Sequence, residues 1–237
     1  MMKIVSCGSS FFSISPAHPG THLTEIVARE LGAELISFAK PGSSNFAIRL
    51  QLETAIKLKP DLILFEFTNA PKIDLPLSVL GQEHEYNFNK GIHNIKYTGY
   101  ENVVPKNIYV NNASFISDGI KNFITGECFQ ENTALTRNSR DALKMWFTEL
   151  YDEPLKEHQD YFVCSSVFLP LEQSQIPYVW SRGDLCMFDW SMYKNEVPEE
   201  GNPWINWTDT GELSVYHTTP ERQQELAQYW LETYRKL

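Results

Sequence analysis

Positive charge is what this chain of 237 residues is short of: 20 Lys and Arg stand against 30 Asp and Glu, a formal net charge of −10. Affinity for phosphate backbones is built from clustered Lys and Arg, and no cluster occurs, so nucleic acid is not an expected partner. Cysteine is sparse as well. The four, Cys7, Cys128, Cys164 and Cys186, lack C-x-x-C spacing, and two lie in runs that read as buried, so free thiols and a reducing compartment are expected. Long apolar runs are missing: no stretch reaches the length of a membrane span, and the opening "MMKIV" is too short for the core of a secretory leader. The expectation is a soluble, cytoplasmic protein without membrane contact, in which the sequons at Asn112 and Asn206 have no role. No G-x-G-x-x-G follows the first apolar run, which argues against a dinucleotide. No His or carboxylate pairs fall at ligand spacing, so neither a metal nor another cofactor is expected. Internal repeats and low-complexity tracts are absent too.

What is present is core-forming material, 42% apolar and 13% aromatic, enough for one large domain over 1–237. "KIVSC" reads as a strand, "THLTEIVARELG" as a helix closed by Gly32, and "AELISFA" as a second strand. After the turn "KPGSSN", "FAIRLQLETAIKLK" has Ile48, Leu52 and Ala55 on one helical face, and "DLILFEFT" is the plainest strand. This alternation predicts an α/β fold with a mostly parallel sheet covered on both faces. Two irregular stretches, at about 70–135 and 181–213, read as insertions by the loss of periodicity. Helical spacing returns in "SRDALKMWFTELYD" and "PLKEHQDYFVCSSVFLPLEQ", followed by a strand "IPYVW". In the closing helix Thr218 and Glu221 are placed for a capping box, Pro220 for the first turn, and Leu226, Trp230 and Tyr234 form an apolar stripe.

Ligands of parallel α/β sheets bind beyond the carboxyl ends of the strands, so Gly8-Ser9-Ser10, Gly42-Ser43-Ser44-Asn45 and Thr68-Asn69 are expected to converge. A serine nucleophile needs a base, and an oxyanion needs preorganised N–H donors. His217, just before the final helix, is the base of choice, with His18 and His22 as competitors. Each residue also has a plainer use. The serines and Asn69 suit turns, Ser44 or Asn45 suits a helix cap, and His217 suits a solvated loop. The aromatics of the insertions serve either as core of a lid or as a sugar-stacking surface. Glu66 is costly if buried alone, and pairing with Arg or Lys is its ordinary remedy.

"HTTPERQQELA" resembles the end of the SGNH/GDSL hydrolases, where a catalytic His precedes a Pro and a helix. "CGSSF", "AKPGSSN" and "EFTNA" resemble that family's other blocks in the expected order. The resemblance implies a flavodoxin-like three-layer α/β/α fold and a serine esterase. Ser10 is then the nucleophile, His217 the base, and Gly42 and Asn69 the oxyanion donors. The chain departs from the pattern at Ser9, Phe67 and Ala70, and at Ser214, where the family has the Asp three residues before the His. Asp209 is taken as the replacement acid, with Glu212, Asp184, Asp189 or a backbone carbonyl as alternatives. The implied substrate is an acyl ester on a small molecule or carbohydrate, an O-acetyl group being favoured. The competing reading is an inactive binding or assembly protein on the same scaffold, and the oligomeric state is left open.

Overall fold

The computed structural model describes residues 1–14, 18–39, 43–69, 74–76, 108–110, 149–205 and 218–237, with 138, 141, 142, 145 and 146. Four strands form one parallel sheet: β1 (Lys3–Cys7), β2 (Glu34–Ser37), β3 (Leu62–Glu66) and β6 (Tyr178–Ser181), in the order β2-β1-β3-β6. Within the first irregular stretch, β4 (Asp74–Pro76) pairs antiparallel with β5 (Ile108–Val110). The helices described along their whole length include α1 (Leu23–Glu30), α2 (Asn45–Leu58), α3 (Glu153–Ser165), α4 (Phe168–Ser174) and α5 (Pro220–Tyr234).

Both faces of the sheet are covered, which is why its strands read as unbroken apolar runs. Ile4, Leu62, Leu64 and Val179 point to the side packed by Leu23, Ile26 and Val27 of α1 and by Leu226, Trp230 and Leu231 of α5. Val5, Cys7, Ile63, Phe65 and Trp180 point to the side packed by Ile48 and Leu52 of α2, Cys164 of α3 and Phe168 of α4. Cys7, Cys164 and Cys186 are free thiols. Burial pushes the first two well above the usual range, so they sit in the core as protonated apolar groups.

Two sequence expectations shift. The span "PLKEHQDYFVCSSVFLPLEQ" is two helices, broken between Ser165 and Phe168. Pro170 lies in the first turn of α4, where its missing N–H is harmless; in one continuous helix its ring would strike a carbonyl four residues back. The closing helix is capped by Thr219, whose hydroxyl accepts from Arg222 N–H, and not by Thr218. Pro220 takes the first helical position, and that fixes the cap one residue later than the Thr218–Glu221 spacing suggested.

Residues 182–205 lack long elements yet supply core. Trp180 and Trp190 pack edge to face at 5.5 Å, and Tyr193 stacks on Phe168 at 4.0 Å. The segment also adds an edge to the sheet, since Val197 N–H donates to the Trp180 carbonyl at 2.8 Å. These aromatics are therefore core, and of the tryptophans in this stretch Trp204 keeps a partly exposed face. Among the described residues no helix is long and apolar enough to cross a membrane.

Candidate active site

Strands β1 and β3 are neighbours in register, Cys7 opposite Phe65, so the loops that leave them emerge side by side. The first is the serine turn. Gly8 opens it because nothing larger fits: a Cβ there would lie 2.7 Å from Phe12 Cβ and 3.0 Å from Glu66 Cγ. The chain then bends back, with Phe12 N–H donating to the Ser9 carbonyl and the Ser13 hydroxyl to the Ser10 carbonyl. This turn treats its two serines differently. Ser9 is fully buried, and its hydroxyl donates to Glu66 Oε1 at 3.0 Å. Ser10 is partly exposed.

Glu66 ends β3 with no exposed surface. A buried carboxylate costs several kcal/mol unless its oxygens are hydrogen-bonded. The Ser9 hydroxyl is one such partner, so Ser9 is occupied in holding a carboxyl group brought in from the next strand.

Beyond Glu66 the chain continues through Phe67 and Thr68 to Asn69, all buried. The Thr68 hydroxyl donates to Asn69 Oδ1 at 3.3 Å, which turns the carbonyl end of that amide toward Thr68 and its NH2 end away. The Thr68 main chain is held from α2: its N–H donates to Asn45 Oδ1 at 2.8 Å, and its carbonyl accepts from Asn45 Nδ2 at 3.0 Å. Asn45 Nδ2 also reaches Asp160 of α3 at 2.9 Å, and Asp160 pairs with Lys156. Asn45 therefore does not cap α2. Ser44 does, its hydroxyl accepting from Ala47 N–H. Gln51, one turn and a half further along, holds the Gly8 peptide in the same manner: Oε1 accepts from Gly8 N–H at 2.8 Å, and Nε2 faces the Gly8 carbonyl at 3.4 Å and the Ser43 hydroxyl at 3.2 Å.

Of the competing histidines, His22 is excluded as a base. Its ring is fully buried, Nδ1 accepting from Thr24 N–H at the start of α1 and Nε2–H donating to the Phe11 carbonyl at 2.9 Å. Desolvation lowers its pKa from 6.5 to about 4, the bond to Phe11 opposing only in part. The stability consequence has a definite sign. Above pH 6.5 His22 is neutral whether the chain is folded or not, and adds no pH dependence. Below it the unfolded chain takes up a proton that the folded one refuses, so stability falls until about pH 4, by roughly 3 kcal/mol in all. His22→Asn keeps a capping side chain and removes the imidazole. Urea midpoints for the variant should fall less between pH 7 and pH 4.5 than those of the parent, and equal falls would refute the assignment.

Asp184 and Asp189 are exposed, and Asp189 is spent on its own turn, accepting from Ser191 N–H at 2.9 Å. Gly42, Asp209, Glu212, Ser214 and His217 lie outside the described residues. The loops that carry Ser10 and Asn69 thus leave neighbouring strand ends, Ser43 is joined to the Gly8 main chain through Gln51, and Glu66, Asn45 and Gln51 are added to the residues around them. Among the described residues no group of His, Cys, Asp and Glu is placed to hold a metal ion. No protein-family model, no curated protein and no solved structure matches the chain.

Proposed function

We propose that the chain is a divergent serine esterase of the SGNH type, built on that family's flavodoxin-like three-layer arrangement. Ser10 Oγ attacks an acyl carbonyl carbon while His217 takes its proton, and the oxyanion rests on the N–H groups of Ser10 and Gly42 and on the Asn69 amide. The imidazolium, steadied by Asp209, returns the proton to the departing alcohol. Water then adds to the acyl-serine with His217 again as base, the acid leaves, and Ser10 regains its hydrogen. The observation that carries this reading is the pairing of β1 with β3, from whose adjacent ends issue a partly exposed Ser10 and a buried Asn69 with its donor end turned outward from Thr68. That junction is also where the strand order β2-β1-β3 reverses direction, the place where open parallel sheets bind ligands.

The proposed substrate is an acyl ester, an O-acetylated carbohydrate first among them. Phe11 follows Ser10 directly and packs, buried and tilted by 36°, against Trp204 at 4.3 Å, so the partly exposed Trp204, a ring of the kind that sugars pack against, borders the serine turn. A fluorophosphonate probe tests the reaction. Labelling is expected in the parent and in Ser9→Ala, and is expected to vanish in Ser10→Ala. Labelling that survives in Ser10→Ala removes the nucleophile assignment. Ser214, standing where the family has its acid, favours the second reading, a binding protein that has lost catalysis. A folded parent that takes up no probe supports that one.

A further inference from the structure

Helix α2 does more than cover the sheet. Two of its side-chain amides reach past the strand ends and each pairs with both the N–H and the carbonyl of a single residue, as a neighbouring strand would. Asn45 grips the N–H and carbonyl of Thr68, next to Asn69. Gln51 grips the N–H of Gly8 and faces its carbonyl, two residues before Ser10. Both are fully buried, as are Gly8 and Thr68. Asn45 is itself fixed: its second amide hydrogen goes to Asp160 Oδ2, and Asp160 is held by Lys156 one turn earlier in α3. With both hydrogens and one lone pair engaged, the Asn45 amide has a single orientation that satisfies it.

We infer that Asn45 and Gln51 are positioning residues, which set the distance between the Ser10 nucleophile and the Asn69 donor by tying both loops to one rigid helix. This rests on the proposed esterase reading. The physical need is plain: the last main-chain bond from the sheet on the Asn69 side is Phe67 N–H to the Ser181 carbonyl, and at Thr68 the backbone is held by the Asn45 side chain instead. A donor misplaced by about 1 Å can cost about 10²-fold in rate.

The two residues act on different loops, and that separates positioning from general stability. Asn45→Ala is expected to lower kcat on a chromogenic acetyl ester about 10- to 100-fold with KM little changed. In an Asn69→Ala background the same substitution is expected to cost nothing further, because the donor it positions is already gone. Gln51→Ala, acting through Gly8, is expected to lower kcat in both backgrounds. Should Asn45→Ala fail to fold, Asn45→Asp keeps the shape and the acceptor for Thr68 N–H while losing both donors, and the same epistasis with Asn69 is expected. Equal losses in the two backgrounds, or a parental kcat in the folded Asn45 variant, overturn the inference. A parent that neither hydrolyses the ester nor takes up the probe overturns the esterase reading itself. Activity that depends on Ser10 and Asn69 but not on Asn45 overturns only the positioning role.

Discussion

Asn69→Ala should lower turnover of an acetyl ester about 10²- to 10³-fold while leaving substrate affinity nearly unchanged, the loss seen when a single oxyanion donor is removed. The donor matters because charge develops on the carbonyl oxygen only in the transition state, so its stabilisation enters kcat and not ground-state binding. Asn69 is suited to this: it is 3% exposed, and the Thr68 hydroxyl occupies its carbonyl end. Asn69→Asp sharpens the test. It preserves shape and the bond from Thr68 but replaces the NH2 by a carboxylate oxygen, so it should be at least as damaging as Ala. A steady-state comparison of the three proteins checks this. Parental kcat in Asn69→Ala would remove the residue from the site.

The largest stability effect is expected at Gly183, which follows β6 and lies against the loop that carries Asn69. Its φ is +62°, and a Cβ there would lie 2.1 Å from the Phe67 carbonyl oxygen and 2.6 Å from the carbonyl carbon. Main chain cannot step aside as the tip of a side chain can, and Gly183 is also fixed by Asn202 Nδ2, which donates to its carbonyl at 2.9 Å. Gly183→Ala therefore meets two costs, left-handed strain of about 1–2 kcal/mol and overpacking of about 1–3 kcal/mol or more, about 4 kcal/mol together. Gly32, just past α1, is the internal control: its φ is also +62°, but nothing lies within 4 Å of the Cβ position. Gly32→Ala should show the strain alone. Urea unfolding of both variants separates the terms, and equal losses would mean that the close approach at Gly183 costs nothing.

Much of the sheet was legible because its signals are local. Each of β1, β2 and β3 is a short apolar run between turn residues, α1 ends at Gly32, and α5 carries its stripe at Leu226 and Trp230. The break before α4 was also present in the sequence, in Pro170, but an apolar period that continued across it concealed it. The site divides the same way. Ser10 and Asn69 follow strand ends that periodicity locates, whereas Asn45 looks like a helix cap from its neighbours, since Ser44 and Asn45 are both good capping residues. Its real partners, Thr68 and Asp160, lie 23 and 115 positions away. Gln51 carried no signal at all, being one polar residue in a helix that buries it. Glu66 was recognised as a costly group, but its Ser9 partner follows only from the parallel pairing of β1 and β3. Trp190, in a stretch that reads as an irregular insertion, fills the core beside Trp180 of β6 because the segment after β6 folds back along the sheet edge.

Helix α5 closes over a face whose other half is built from the first strand and helix, and Leu23 N–H donates to Gln223 Oε1 across 200 residues. A ribosome delivers β1, α1 and β3 long before it delivers α5 or β6. Ile4, Leu62 and Leu64 therefore emerge with α1 alone, of the two helices that pack that side, to cover them. Until α5 is made, the nascent chain leaves half of that face open to water, and exposed apolar surface of this kind favours aggregation over folding.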